Sequence, residues 1–414
     1  MTPPPSITTT KLQANVWLRI VAPFAAGYFI SYWYRTVNAV IAPDLVRDFG
    51  LDAGDLGLLT SVYFLAFALA QVPLGVLLDR YGARRVEALL LLIAATGAFM
   101  FGLSSGPIGL FLGRALIGLG VSACLMASFK AFAGWFSFER LPAMNGVVLA
   151  AGGLGALCAT IPVEVALQTT SWRGVFFALG VLTIAVSAWI YFAYPERAET
   201  LSRGGLREQL RGVALVFSSP EFWRIAPLSM LAAASFLALF TLWLGPWLRD
   251  VAALDRVETA NHLLVAALAM AIGYLAFGQI AFRLSYYGVR TSSVAKAGMA
   301  AFMFIELLLA LGFTRATLPL LAAFGFFGTA ASLSYAVLSQ SFAPSLAGRV
   351  NTALNLLVFV FAFALQWAMG EIVNLFAQGA GDHSFEGYSV AFGAALALQA
   401  AAFIWLALWR RKSD

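Results

Sequence analysis

Polar residues in this chain come in short clusters that separate long apolar runs. A helix that crosses a bilayer needs roughly 20 mostly apolar residues. Twelve runs meet that length. In the first half they are 17–43, 56–78, 86–104, 108–133, 141–167 and 174–194. In the second half they are 226–248, 259–282, 292–312, 316–340, 350–377 and 388–409. Connections as short as 105–107 make neighbours antiparallel. The longest polar connection, 195–222, begins Tyr194-Pro195-Glu196 and divides the runs six and six. The pattern predicts an all-α integral membrane protein built as two pseudo-symmetric six-helix bundles, 1–194 and 223–414, with 195–222 as a cytoplasmic linker.

Composition agrees. Of the 414 residues, 61% are hydrophobic and 11% charged, against about 45–50% and about 25% in a soluble domain. This excludes an ordinary cytosolic enzyme, a disordered chain and a nucleic-acid-binding protein. The net charge of +6 does not point to an acidic polymer, because the basic residues are sorted by side. With a cytoplasmic N-terminus, nineteen of the 26 Lys and Arg fall on the inner side, five on the outer side, and Arg35 and Arg114 within runs. That asymmetry places both termini inside and makes anionic lipid headgroups the expected partner of the basic loops. No small-residue cleavage site follows the first run, so it reads as a retained span. Cys124 and Cys158 lie in apolar runs, read as small buried hydrophobes.

After the second run comes Gly75-Val-Leu-Leu-Asp79-Arg80-Tyr81-Gly82-Ala83-Arg84-Arg85. Gly82 permits a tight turn, Asp79 can cap a helix or pair with a cation on a neighbouring one, and the arginines sit at the inner surface. The segment resembles the signature loop between the second and third helices of the major facilitator superfamily. In that family the loop latches the two halves together in one conformation, which makes Asp79, Arg80 and Arg84 gating candidates. Span four carries Arg114-Ala-Leu-Ile-Gly118-Leu-Gly120, similar to the family's Arg followed by glycines. Arg114 is either a buried anchor between helices or a participant in proton coupling. The halves also repeat. Asn145 and Glu164 in span five correspond to Asn351 and Glu371 in span eleven, and Gly278–Arg290 looks like a degraded copy of the Gly75 loop. The resemblance implies fold and transport, not a substrate.

Polar residues inside spans are expensive unless they face a cavity or a partner, so they are the site candidates. Arg35 heads them, within Tyr32-Trp33-Tyr34-Arg35-Thr36-Val37-Asn38. A guanidinium offers a fixed fork of donors that fits carboxylate or phosphate. Tyr32, Tyr34 and Asn38 add polar groups beside it. The segment is similar to span one of organophosphate and organic-anion transporters in the superfamily. The alternative is structural pairing with a buried carboxylate. Span seven ends Trp243-Leu244-Gly245-Pro246-Trp247. Gly245 and Pro246 break the helix ladder and allow bending. Trp243 and Trp247 either line the cavity or belong to an interfacial aromatic belt. Asn351, Asn355 and Gln366 supply neutral groups in span eleven, as cavity lining or as helix-to-helix glue. Glu164 and Glu371, toward the outer ends of their spans, are coupling candidates or simply solvated. Glu306 and His262 read as structural or solvated.

No ATP-binding loop and no His/Cys metal cluster is present, so neither cofactor nor metal is expected. Met299 and Met303 read as packing. The expectation is a monomeric secondary transporter of the bacterial-type inner membrane, not an enzyme. It would move a small solute of the organic-anion class by alternating access driven by an ion gradient, with protons as the coupling ion. Two rivals stay open: a proton-coupled drug or metabolite exporter, and a non-transporting receptor or scaffold on the same fold.

Overall fold

The computed structural model describes residues 16–136, 140–195, 206–343, 346–377 and 384–409. Among these the regular structure is helical. Ten helices are long and apolar enough to cross a membrane. One of them, Ala53–Leu103, is two helices joined at Gly82, whose φ of 78° and ψ of 161° no helix contains. It therefore supplies spans two and three. A broken run, Trp17–Val21, Ala22–Thr36 and Asn38–Phe49, supplies span one. The remaining spans are Pro107–Ala133, Met144–Leu167, Trp172–Ala193, Pro220–Asp250, Arg256–Ser285, Thr291–Ala310, Thr317–Gln340, Gly348–Leu375 and Phe385–Leu408, which are four to twelve in order. That gives the twelve helices read from the apolar runs. The expected cytoplasmic location of both chain ends concerns residues outside the described ones.

The segment expected as a linker carries a helix of its own, Leu206–Phe217. It is amphipathic rather than uniformly polar: Val213 and Val216 are buried while Leu210, Arg211 and Leu215 are exposed. It packs on the Ala53–Leu103 helix and on span eleven. Span seven starts at Pro220, earlier than the apolar run implied, because Pro is well suited to the first turn of a helix and Ser219 sits in extended backbone before it.

The repeat is visible in the irregularities. Gly82 after span two and Gly288 after span eight share a φ of 78°. L side chains avoid that region, so both inner turns need glycine. Span four breaks between Gly120 and Cys124, and span ten passes through a 3-10 turn at Thr329–Ser332. Span one breaks at Val37, and span seven contains a π-helical turn at Leu239–Trp243. The cause in span seven is local. Pro246 has no N–H to give the Leu242 carbonyl, and the ladder upstream shifts so that Leu244 N–H bonds the Leu239 carbonyl. The irregular turns of spans one and seven pack on each other across the two halves, where non-ideal backbone can be satisfied by protein rather than lipid.

Candidate substrate site

Arg35 is 4% exposed and sits where span one faces spans two and eleven. Its guanidinium carbon lies 4.4 Å from the Tyr32 ring centre, 5.3 Å from Phe359, 5.4 Å from Phe67 and 6.0 Å from Tyr63. Tyr32 and Arg35 share a face because three residues nearly complete one helical turn. Phe359 comes from span eleven, so the enclosure is built by both halves. No carboxylate pairs with Arg35 among the described residues, and its Nε has no hydrogen-bond partner. Among the described residues the structural-pairing alternative finds no carboxylate. Taking an unpaired guanidinium out of water costs several kcal/mol, while cation–π contacts return roughly 0.5–2 kcal/mol each. The aromatic ring shapes the place for a cation but leaves its charge uncompensated.

Hydroxyl and amide groups continue the site inward. The Tyr32 hydroxyl lies 3.4 Å from that of Tyr274 in span eight. Tyr335 in span ten donates to Asn355 Oδ1 at 2.9 Å, and Asn355 Nδ2 donates to Gln71 Oε1 of span two at 3.3 Å. Tyr28 packs edge-to-face on Tyr32 at 5.1 Å. Of the sequence candidates, Arg35, Tyr32 and Asn355 come together here. Tyr63, Phe67, Gln71, Tyr274, Tyr335 and Phe359 were not singled out. One signal was available: Tyr63, Phe67 and Gln71 recur every four residues on one face of span two.

The other candidates lie elsewhere. Tyr34 is rotated about 100° from Arg35; it is fully buried, and its hydroxyl is 3.0 Å from Thr183 Oγ1 of span six. It is not part of the site. Asn38 is fully buried and donates to Thr60 at 3.1 Å, a turn farther out, with its Oδ1 unpartnered. Asn351 accepts from Ser339 at 2.9 Å toward the inner end. Gln366 is fully buried at the outer part of span eleven; its backbone carbonyl accepts from Trp243 Nε1 at 3.0 Å. Trp243 and Trp247 are both 0% exposed, so neither belongs to an aromatic belt. Trp243 instead packs against Gly57 of span two. Gly245 lies on span one: a Cβ there would sit 2.7 Å from the Ala39 carbonyl oxygen, which only glycine tolerates.

Arg114 is fully buried and ties span four to span one. Its Nη1 donates to the Tyr34 carbonyl at 2.9 Å, just before the break in span one, and its guanidinium carbon lies 5.2 Å from the Tyr63 ring centre. Its Nε and Nη2 have no partner. Asp79 accepts from Lys130 at 2.6 Å, tying span two to span four within the first half. Arg80 stacks near Tyr81, and Arg84 lies 5.3 Å from the Tyr191 ring and donates to the Tyr194 carbonyl.

The outer ends of the halves are tied by an ionic cluster. Arg256 of span eight gives Nη2 to Asp44 of span one at 2.6 Å and Nε to Glu164 of span five at 2.7 Å. Glu164 is 7% exposed and paired, not solvated. Asn374 Oδ1 accepts the Ala53 N–H at 3.0 Å nearby. Glu371 is exposed and accepts from Trp367 at 2.9 Å, while also touching Gly54. Asp44 and Arg256 escaped the sequence reading. The signal was there, since a cation on the sparsely basic outer side invites an acidic partner. His262 is half-buried rather than solvated; its ring nitrogens lie 2.8 Å from the Glu258 carbonyl and 2.9 Å from Thr317 Oγ1. Glu306 is buried between spans seven and twelve, accepting from Ser235 at 2.7 Å and Gln399 at 2.6 Å. Glu87, at the inner end of span three, is its opposite. It is 0% exposed, lies against Gly27 and the Cys124 thiol, and neither carboxyl oxygen has a hydrogen-bond partner by geometry.

The Major Facilitator Superfamily profile matches residues 24–366, and the chain belongs to that family. The family is one of membrane transporters. The uncharacterized transporter YybO of Bacillus subtilis is 29% identical over 179 residues, covering 43% of this chain and 41% of that protein. A probable L-galactonate transporter of Escherichia coli is 28% identical over 187 residues, covering 45% and 40%. The chain thus spans about two fifths of the length of these relatives. A crystal structure of the nucleoside transporter NupG superposes with a TM-score of 0.72 at 17% identity, over 96% of this chain and 99% of that one. That likeness concerns the fold.

Proposed function

We propose that this protein is a secondary transporter that moves small organic anions, in particular polyhydroxylated acids, across a bacterial inner membrane. The observation that carries the reading is Arg35: a buried cation between the two halves with no acidic partner among the described residues. A cargo carboxylate completes it with a charge-assisted, bidentate interaction. Tyr274, Tyr335, Asn355 and Gln71 then offer donors and acceptors to cargo hydroxyls. The L-galactonate transporter among the relatives handles a molecule of this description by its name.

Transport proceeds by rocking of the two halves about this site. The Asp44–Arg256–Glu164 cluster closes the outer side, and opening outward must break it. The π turn and Gly245 in span seven let that helix close on span one. A proton supplies the driving force, carried by Glu87. Its buried carboxyl has no hydrogen-bond partner and no cation beside it among the described residues, which makes it the proposed proton carrier.

Uptake by proteoliposomes tests the reading. Galactonate, glucuronate and sulfoacetate are compared with galactose and with a lipophilic cation. Accumulation of an acid, lost in Arg35→Ala, supports it. Transport of the neutral sugar or the cation at an equal rate, unaffected by Arg35→Ala, overturns it.

A further inference from the structure

At the inner end of the second half, spans seven, nine and ten enclose a cleft of about 640 Å³. Arg224, Arg290 and Lys296 line it, together with Ser292, Ser334 and Gln340. It is remote in the chain and in depth from Arg35. Arg224 shares its charge with Glu221 at 2.5 Å, whereas Arg290 and Lys296 form no ion pair among the described residues. Two cations remain uncompensated in a polar recess.

A second, apolar groove of about 210 Å³ continues from it along spans nine and twelve, between Ala297, Ala300, Phe403 and Ala407. Lys296 and Leu406 line both spaces. The recess is therefore cationic at one end and opens into a hydrocarbon-facing channel at the other. Trp223 and Trp405, the chain neighbours of the lining residues Arg224 and Leu406, are 37% and 47% exposed, and Trp405 Nε1 donates to the Trp223 carbonyl at 2.9 Å. Exposed tryptophans at span ends mark the headgroup level of a bilayer. The inner leaflet is where anionic lipids concentrate, and basic pockets between helices on that side suit their headgroups.

We infer that this cleft binds an anionic phospholipid of the inner leaflet, with the phosphate on Arg290 and Lys296 and one acyl chain along Phe403 and Leu406. The charge calls for an anion, and the adjoining apolar groove calls for that anion to carry a hydrocarbon chain. A free phosphate satisfies the first need and not the second. The bound lipid would hold the inner ends of spans seven, nine and ten together.

The full-length chain in neutral detergent tests this. Its melting temperature is measured with added dioleoylphosphatidylglycerol, dioleoylphosphatidylcholine or inorganic phosphate. The phosphatidylglycerol is expected to raise Tm by about 3 °C over phosphatidylcholine. Arg290→Gln with Lys296→Gln should abolish that rise. Arg211→Gln with Arg283→Gln, which removes two inner-side charges outside the cleft, should keep it. Native mass spectrometry of the same proteins should show retained phosphatidylglycerol lost only in the cleft variant. An equal rise with phosphatidylcholine, a rise that survives in the cleft variant, or equal loss in both double variants would each overturn the proposal. A full rise with inorganic phosphate would do so too, by making the cleft a free-anion site.

Discussion

Arg256 and Arg35 both sit where the two halves meet, and they are opposites. Arg256 lies at the outer surface, 35% exposed at its side chain, and holds two carboxylates at 2.6 and 2.7 Å. Arg35 lies at depth, 4% exposed, and holds none. The outer arginine has its charge balanced within the protein, and in the proposed cycle it acts as a lock in the outward-closed arrangement. The central one is left for a ligand to balance. A lock needs to be complete without cargo, and a binding site needs to be incomplete without it.

The largest effect should follow from removing the incomplete cation. Arg35→Ala should lower acid uptake by about a hundredfold or more, and Arg35→Lys should recover only part, because an ammonium lacks the planar fork. Purified yield and Tm should hold near wild type in Arg35→Ala, since an unpaired buried charge is lost rather than a partnered one. Uptake unchanged in both variants would erase the contrast between the two arginines.

Next comes the driving force. Glu87→Gln should keep cargo exchange across the membrane while losing accumulation driven by a pH gradient. Glu306→Gln is the control in the other half. Glu306 already has Ser235 and Gln399 as partners, and coupling should survive its neutralisation. Loss of gradient-driven uptake in Glu306→Gln rather than Glu87→Gln would reverse the assignment.

A smaller shift is expected at the lock. Arg256 is partly exposed, so its pairs are screened and worth about 1 kcal/mol in the balance between states. Arg256→Ala should raise the outward-open population about fivefold. Spin-label distances between the outer ends of spans one and eight would report it. Gly245→Ala should act in the same direction by a different route. Its Cβ would meet the Ala39 carbonyl, so span seven could not close as tightly on span one.

The fold was largely legible because the bilayer imposes one rule on every span. Length and hydropathy alone located the helices to within a few residues, and Gly75–Arg85 supplied the family. The irregular turns were less legible. Pro246 marked a bend, but the π turn upstream of it depends on how the displaced carbonyls find new donors. Arg35 and Tyr32 could be read as a site because a charged residue in hydrocarbon needs a reason. Tyr34 and Trp247 could not be sorted the same way. Both are aromatic, both sit near the right height, and only the rotation about each helix decides which face they present. Glu87 was not singled out: it follows Arg84 and Arg85 at the start of an apolar run, and its position in the chain alone does not say which way it turns. The kink at Gly82 turns it inward, onto Gly27. Tyr274 and Tyr335 were invisible for a further reason: their relevance depends on which helices of the second half face Arg35.

The central claim is that Arg35 waits for the charge of the cargo. A double cycle measured by calorimetry tests it: galactonate and galactitol, each titrated into wild type and into Arg35→Ala. If the carboxylate and the guanidinium meet, the two losses are not additive, and the coupling energy should be about 1.5–3 kcal/mol. Additive losses, with galactonate preferred over galactitol to the same degree in both proteins, would mean that the cargo's charge is read elsewhere and would contradict the account.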